Sequence, residues 1–166
     1  MLRKKRKQKG FTLIELLIVI AIIAILAGVV FVSLDPTKRF LDARNASRWT
    51  DVTAILSAIK VNQVDLGGSY TSTINALTVG NNNYILGTAA SGCDAGCSVT
   101  TQATCLDIGA LVTGGYLGKM PVSPKGSGDT DWSTTKTGYY LSKNTNGSIT
   151  VAACSAEASP TVTVTR

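Results

Sequence analysis

The sequence predicts an α+β protein in which one long N-terminal helix leads into a small antiparallel β-sheet domain. Three observations indicate this fold class. Residues 11–34 are almost continuously apolar, residues 36–66 repeat apolar side chains at helical intervals, and residues 137–154 alternate apolar and polar side chains as strands do. The chain is therefore expected to divide into a leader (1–10), an apolar helix (11–35), an amphipathic half of the helix (36–66) and a globular domain (67–166).

The apolar segment at residues 11–34 predicts a membrane-spanning helix. It holds 24 residues, of which only Thr12, Glu15 and Ser33 are plainly polar, and such a helix crosses a hydrocarbon core of about 30 Å. Six Lys/Arg and no acid precede it in LRKKRKQKG, so the N-terminus is expected in the cytoplasm and the C-terminal domain outside. A secretory signal peptide is disfavoured, because those are shorter and end in a small-x-small site that the second half of this segment lacks.

The charge of the chain is concentrated in this leader. The whole sequence has net charge +6 with 16 Lys/Arg and 10 Asp/Glu, and removing the six basic leader residues leaves 16 − 6 = 10 of each sign. The basic balance is therefore a membrane-topology signal and gives no clear nucleic-acid site. The sequence has no histidine, nucleophile–base pair, metal cluster or phosphate loop, so it predicts no enzyme and no cofactor.

The residues at the start of the apolar segment form a specific motif. Gly10 separates the basic leader from Phe11, and Glu15 follows in the run GFTLIE. Over residues 4–34 this pattern resembles the type IV pilin and pseudopilin family. The resemblance implies that a prepilin peptidase cleaves after Gly10 and that Phe11 is then N-methylated. It also implies that the carboxylate of Glu15 pairs with the new amine of a neighbouring copy during assembly, although a Glu at this depth can also reach water and interact with the helix dipole.

The resemblance implies a structural subunit that spans the membrane once and is then polymerised by a membrane assembly platform into an extracellular helical homopolymer. The leading hypothesis is a type IV pilus-like surface filament. A major-pseudopilin-like component of a type II secretion system is the nearest alternative, because the phrase YLGKMPVSPKG resembles a stretch of major pseudopilins. A DNA-uptake or adhesion pilin is a third alternative.

After the apolar segment, Pro36 predicts a kink or break near residues 32–36, because proline lacks the N–H and clashes with the preceding turn. The pair Gly67-Gly68 predicts the end of the second half. The stripe facing the globular domain is predicted to contain Leu41, Trp49, Val52, Ile55, Leu56 and Ile59. The charged side chains predicted on other faces are Lys38, Arg39, Arg44, Arg48 and Asp51.

The globular domain is expected to begin with a loop-rich segment at 69–101 and a short helix at about 103–113. The segments TGYYLSK and GSITVAAC predict a hairpin that turns through residues 144–147. The tail TVTVTR is an edge strand or disordered. Three aromatic residues near the hairpin could line an exposed binding strip, but alternate strand residues are more often core and rim: Trp132, Tyr139 and Tyr140.

The four cysteines all lie in the globular domain, at Cys93, Cys97, Cys105 and Cys154. An even number of cysteines in a domain that faces an oxidising exterior favours two disulfides over a zinc site, which usually has paired C-x2-4-C knuckles. The sequence leaves the connectivity open. The preferred pairing is Cys93 with Cys97 and Cys105 with Cys154.

The segment GSGDTDW contains a clustered acid pair, Asp129 and Asp131. Some pseudopilins bind calcium in a loop of this region, and calcium takes six to eight oxygen ligands. Because this loop is poor in acids, a solvated turn is favoured over a calcium site.

Overall fold

The computed structural model describes residues 10–80, 82–126, 131–157 and 161–166. It confirms the α+β fold class. The chain divides into two units, residues 1–39 and 40–166. The helices are α1 (Leu13–Leu34), α2 (Pro36–Asp65), α3 (Ser72–Asn75) and α4 (Gly109–Thr113), and the strands are β1 (Asn83–Ile85), β2 (Tyr139–Lys143), β3 (Ile149–Ala153) and β4 (Thr163–Thr165).

Helix α1 is apolar on every side and none of its 22 side chains is buried. Within the described residues it supplies the one stretch of helix long and apolar enough to cross a membrane. The helix ends at Asp35, whose φ of 38° is left-handed, and Pro36 begins α2 with no N–H to continue the ladder. The Asp35 carboxylate then accepts a hydrogen bond from Lys38 N at 3.3 Å. The predicted break is therefore confirmed.

Helix α2 buries a stripe against the sheet of the second unit. Val52, Ile55, Leu56 and Ile59 lie in this stripe, each at most 2% exposed, as predicted. The helix stops where the glycine pair was expected to end it: Gly67 has a φ of 66°, and the N–H of the next residue donates to Gln63 O at 2.8 Å.

Two residues of α2 lie on the opposite side from the one predicted. Trp49 was expected in the core stripe but is 38% exposed, and Arg48 was expected on a polar face but is fully buried. The physical reason is the helical period. At about 100° per residue, Arg48 lies within about 40° of the buried Val52, Ile55 and Ile59 around the helix axis, whereas Trp49 is turned about 100° away from Arg48.

The sheet contains four antiparallel strands in the order β1-β2-β3-β4. The predicted hairpin is confirmed, with Leu141 opposite Val151 in the β2–β3 register. Its turn closes through a hydrogen bond from Gly147 N to Asn144 O at 2.9 Å. The tail forms β4, in which Val164 lies opposite Val151, so the edge-strand alternative holds and the disordered one does not.

The connecting segment before the hairpin differs from the prediction. The short helix begins at Gly109 and not near residue 103. The residues before it are held in extended backbone contacts, because Leu106 N donates to Ile85 O at 2.8 Å and Gly87 N donates to Leu106 O at 3.0 Å. These bonds extend the edge of the sheet and compete with helix formation.

Candidate functional site

The bond between Gly10 and Phe11 lies in an exposed, non-helical segment before α1. Phe11 is 87% exposed, and no heavy atom would contact a Cβ placed on Gly10 within 4 Å. Thr12 has an extended backbone, with φ −83° and ψ 152°. The exposure of this segment leaves the bond open to a protease. Leader residues 1–9 lie outside the described residues.

Glu15 is held by a capping box at the start of α1. The backbone N–H and the Oγ1–H of Thr12 each donate to Glu15 Oε2 at 2.8 Å. In return, Glu15 N donates to Thr12 Oγ1 at 3.3 Å. Because both side-chain bonds fall on Oε2, the second carboxylate oxygen, Oε1, can accept a hydrogen bond from a cation outside this helix.

Sequence reasoning missed a buried polar cluster that joins α2 to distant parts of the second unit. At its centre, Arg48 donates from Nη1 to Glu157 Oε2 at 2.9 Å and to Asn45 Oδ1 at 2.9 Å. The same guanidinium donates from Nε to Ser123 Oγ at 3.1 Å and from Nη2 to Pro124 O at 2.9 Å. Because a buried charge that loses its partners is strongly destabilising, Arg48 makes the fold depend on the segments that supply these partners.

Glu157 is the acidic partner in this polar cluster. Arg44 donates to it from Nε and Nη2, each at 2.5 Å, and Arg48 adds a second ion pair at 2.9 Å. The hydrogen bonds from Arg44, followed by those from Arg48, lower the pKa of Glu157 from its ordinary value of 4.5 to about 2. The cluster could have been found from the helical position of Arg48, but its partner lies 109 residues away and has no sequence signal.

A second polar contact also joins α2 to the sheet. Tyr139 is fully buried, and its hydroxyl donates to Asp51 Oδ2 at 2.6 Å. Burial raises the pKa of Tyr139, and the hydrogen bond to the Asp51 carboxylate raises it further. The phenol therefore stays protonated and serves as a structural donor.

The structure confirms two disulfides but corrects their pairing. Cys93 is bonded to Cys105, with 5.3 Å between the Cα atoms, and Cys97 is bonded to Cys154, with 4.4 Å between them. The preferred pairing of Cys93 with Cys97 and of Cys105 with Cys154 was therefore wrong.

The physical reason for this pairing is the path of the loop before Leu106. The loop folds back on itself, since Cys93 N donates to Ala103 O at 3.0 Å and Cys105 N donates to Ala89 O at 3.3 Å. Ser98 N donates to Cys154 O at 3.1 Å, which brings Cys97 to the end of β3.

The candidate calcium loop lies partly outside the described residues, which do not include Asp129. Asp131 is described, and its carboxylate forms an exposed ion pair with Lys125 at 2.5 Å. Among the described residues, no group of three or more acidic or cysteine side chains could hold a metal ion.

The aromatic residues near the hairpin do not form an exposed strip. Tyr139 lies in the main core, and Trp132 and Tyr140 are partly buried against the cluster that contains Cys93 and Cys154. Gly138 makes room for the indole: its φ is 78°, and a Cβ there would lie 2.6 Å from Trp132 Cδ2. The core-and-rim interpretation therefore fits these residues.

Comparison with known proteins places this sequence in a family. Residues 5–31 match the family model described as the prokaryotic N-terminal methylation motif. The type II secretion system core protein G of Aeromonas hydrophila is 31% identical over 124 residues, which cover 75% of this chain and 72% of that protein. The core protein G of Vibrio cholerae is 29% identical over 150 residues, covering 90% and 82%.

A third relative is the type IV wide pilus major component PilA4 of Thermus thermophilus, which is 53% identical over 76 residues. This match covers 43% of the chain and spans about half, 53%, of the Thermus protein. No solved structure matches the chain significantly. The motif and the relatives together define a class of pilus and secretion-system subunits that carry an N-terminal methylation motif. The chain belongs to the type IV pilin and pseudopilin family.

Proposed function

We propose that the chain is a structural, non-enzymatic subunit of a type IV pilus-like filament. A prepilin peptidase cleaves it after Gly10, Phe11 is N-methylated, and an assembly platform in the membrane moves the subunit from the bilayer into an extracellular homopolymer. The observation that carries this proposal is the contrast within α1. Its 22 residues have no buried side chain, while Glu15 presents a carboxylate one turn from the new N-terminus.

Glu15 has an assembly role in this proposal. In lipid, the capping bonds to Thr12 satisfy one carboxylate oxygen. When subunits come together, the amine of Phe11 in a second copy pairs with the carboxylate in an apolar surrounding, where a charge pair is screened little and an unpaired charge is costly.

Two measurements test this proposal. Mass spectrometry of the mature protein is expected to give an N-terminus at Phe11 with one added methyl group, and an intact leader in assembled filaments would refute it. Glu15→Leu and Glu15→Gln are expected to leave membrane-inserted, disulfide-bonded monomer at normal levels but to yield few or no filaments. Ile18→Leu is the matched control and is expected to assemble normally. Filaments of normal length from both Glu15 variants would contradict the assembly role.

A major-pseudopilin-like role in type II secretion is the second candidate. The observation that favours it is coverage: the two core G proteins align over 82% and 72% of their length, whereas the Thermus pilin aligns over 53% of its length. Electron microscopy of the cell surface and a secretion assay on a deletion strain distinguish the roles. Loss of long surface fibres favours the pilus, and loss of secretion without any loss of fibres favours the pseudopilin.

A further inference from the structure

The turn of the β2–β3 hairpin contains the tripeptide Asn-Gly-Ser at residues 146–148. Enzymes that attach saccharides to asparagine recognise Asn-x-Ser or Asn-x-Thr in which x is not proline. The sequence contains this pattern twice, because residues 45–47 read Asn-Ala-Ser. A match to so short a pattern often arises by chance, so the surroundings of each asparagine have to distinguish a modification site from a coincidence.

The side chain of Asn146 is oriented by Ser148. Asn146 Oδ1 accepts hydrogen bonds from Ser148 N at 3.0 Å and from Ser148 Oγ at 2.7 Å. A backbone N–H can only donate, so the side-chain atom that meets it is the oxygen, and the amide nitrogen Nδ2 is turned away. Within the described part of the chain, Nδ2 of Asn146 donates no hydrogen bond. The atom to which a saccharide would be attached is therefore free.

The hydroxyl of Ser148 is itself oriented by a third side chain. Asn144 Nδ2 donates to Ser148 Oγ at 2.8 Å, which leaves the Ser148 proton for Asn146 Oδ1. The serine at the third position of the tripeptide thus holds the asparagine amide in one orientation.

The turn around Asn146 is both exposed and well held. Thr145, Asn146 and Gly147 are exposed, and no heavy atom would lie within 4 Å of a Cβ placed on Gly147. Gly147 N donates to Asn144 O at 2.9 Å, and Tyr70 Oη donates to Gly147 O at 3.3 Å. The hairpin tip therefore leaves room for a bulky group without any change of the fold.

The second tripeptide has the opposite surroundings. Asn45 lies in α2, and its Oδ1 accepts from Arg48 Nη1 at 2.9 Å and from Glu157 N at 3.1 Å. Its Nδ2 donates to Glu157 O. Both ends of this amide are used in the buried polar cluster, so a saccharide on Asn45 would break the contacts that hold Arg48.

We propose that Asn146 is an N-glycosylation site whose donor is a saccharide linked to a polyprenyl diphosphate. In this reaction a bond forms between Asn146 Nδ2 and the anomeric carbon of the saccharide, and the bond from that carbon to the diphosphate oxygen breaks. The polyprenyl diphosphate leaves, and the amide loses one proton to a base of the transferase. A lipid-linked donor lies in the same membrane as this chain. The site rests on the proposed function for its topology, because Asn146 must be on the outer side of that membrane.

Masses of intact peptides from the protein purified from the cells that produce it test the proposal. The peptide that contains Asn146 is expected to carry a saccharide, which fragmentation should localise to Asn146, and the peptide that contains Asn45 is expected to be unmodified. An unmodified Asn146, an Asn146 converted to aspartate without a saccharide, or a saccharide on Asn45 alone would overturn the proposal.

Four variants distinguish attachment to the amide from attachment to a neighbouring hydroxyl. Asn146→Gln and Ser148→Ala are each expected to lose the saccharide, while Ser148→Thr preserves the tripeptide and is expected to keep it. Thr145→Ala removes an exposed hydroxyl outside the tripeptide and is the matched control, which is also expected to keep it. Retention of the saccharide in Asn146→Gln, or its loss in Thr145→Ala alone, would place it on a hydroxyl and refute the site.

The same protein separates this site from the proposed function. If the chain is methylated at Phe11 and forms filaments but Asn146 is unmodified, only the glycosylation site is wrong. If Asn146 carries the saccharide but the chain forms no filaments under any condition, the site is supported and only the filament role fails.

Discussion

Helices α1 and α2 follow each other in the chain but have opposite surroundings. The 22 residues of α1 are apolar on every side and none is buried. The 30 residues of α2 are less apolar, yet seven are buried in the second unit. Apolar content alone therefore does not specify burial within a chain. A helix with one apolar stripe can bury that stripe against its own domain. A helix without a polar face must be surrounded by lipid or by another copy of the chain.

The carboxylates of Glu15 and Glu157 show the same contrast between a local and a long-range partner. Glu15 is satisfied by a residue three positions away in its own helix start, so it needs nothing from the rest of the chain. Glu157 is satisfied by Arg44 and Arg48, more than 100 residues away in sequence. We therefore expect changes in α1 to alter assembly and changes at buried residues of the second unit to alter folding. The full chain in detergent micelles is the sample in which this division can be measured.

The largest effect is expected for Arg48→Ala. The change leaves Glu157 with one cation and removes the donor to Ser123 and Pro124, so the free energy of unfolding should fall by about 3–5 kcal/mol. Urea unfolding followed by tryptophan fluorescence measures the loss. Arg39→Ala removes an exposed arginine and is expected to change stability by no more than about 0.5 kcal/mol. Equal effects of the two changes would contradict the structural role of the cluster.

The disulfides should contribute unequally, because they close loops of different length. Their sequence separations are 57 residues for Cys97–Cys154 and 12 residues for Cys93–Cys105. Loop-closure entropy predicts losses of about 4 and about 3 kcal/mol when each pair is replaced by serine. Partially reduced peptide maps check the pairing directly, and a Cys93–Cys97 product would refute the described connectivity.

The stability of the second unit should fall at low pH through Glu157. Its pKa is lowered in the folded protein from 4.5 to about 2, so the ionised form stabilises the fold above pH 4.5, and this contribution is lost as pH falls from there towards 2. The urea midpoint of the wild type should therefore approach that of Glu157→Gln as pH decreases. A constant gap between the two proteins from pH 7 to pH 2 would exclude this carboxylate as the source.

The smallest effect is expected for Leu17→Ala in α1. Leu17 is 50% exposed whereas Leu56 is 2% exposed, so the change at Leu17 should alter unfolding of the second unit by less than about 0.5 kcal/mol. Leu56→Ala is the matched buried control and should cost about 2–5 kcal/mol. The division between the helices would be wrong if the two substitutions destabilised the second unit equally.

Local patterns in the sequence determined the elements that depend on neighbouring residues. The apolar run predicted α1, Pro36 predicted the break, and the alternation around Asn146-Gly147 predicted the β2–β3 hairpin. The motif at Gly10, Phe11 and Glu15 identified the family. These features can be predicted from the sequence because helix period, proline geometry and turn chemistry depend on only a few neighbouring residues.

The tertiary structure alone decided which distant groups meet. It placed Arg48 beside Glu157, paired Cys97 with Cys154 and turned Trp49 outward, and each of these differs from or extends the prediction. Helical spacing could have put Arg48 on the buried face, but nothing local indicates that a carboxylate near the C-terminus would neutralise it. Such pairings depend on how the whole chain closes its loops and satisfies its buried polar groups, which short-range patterns do not encode.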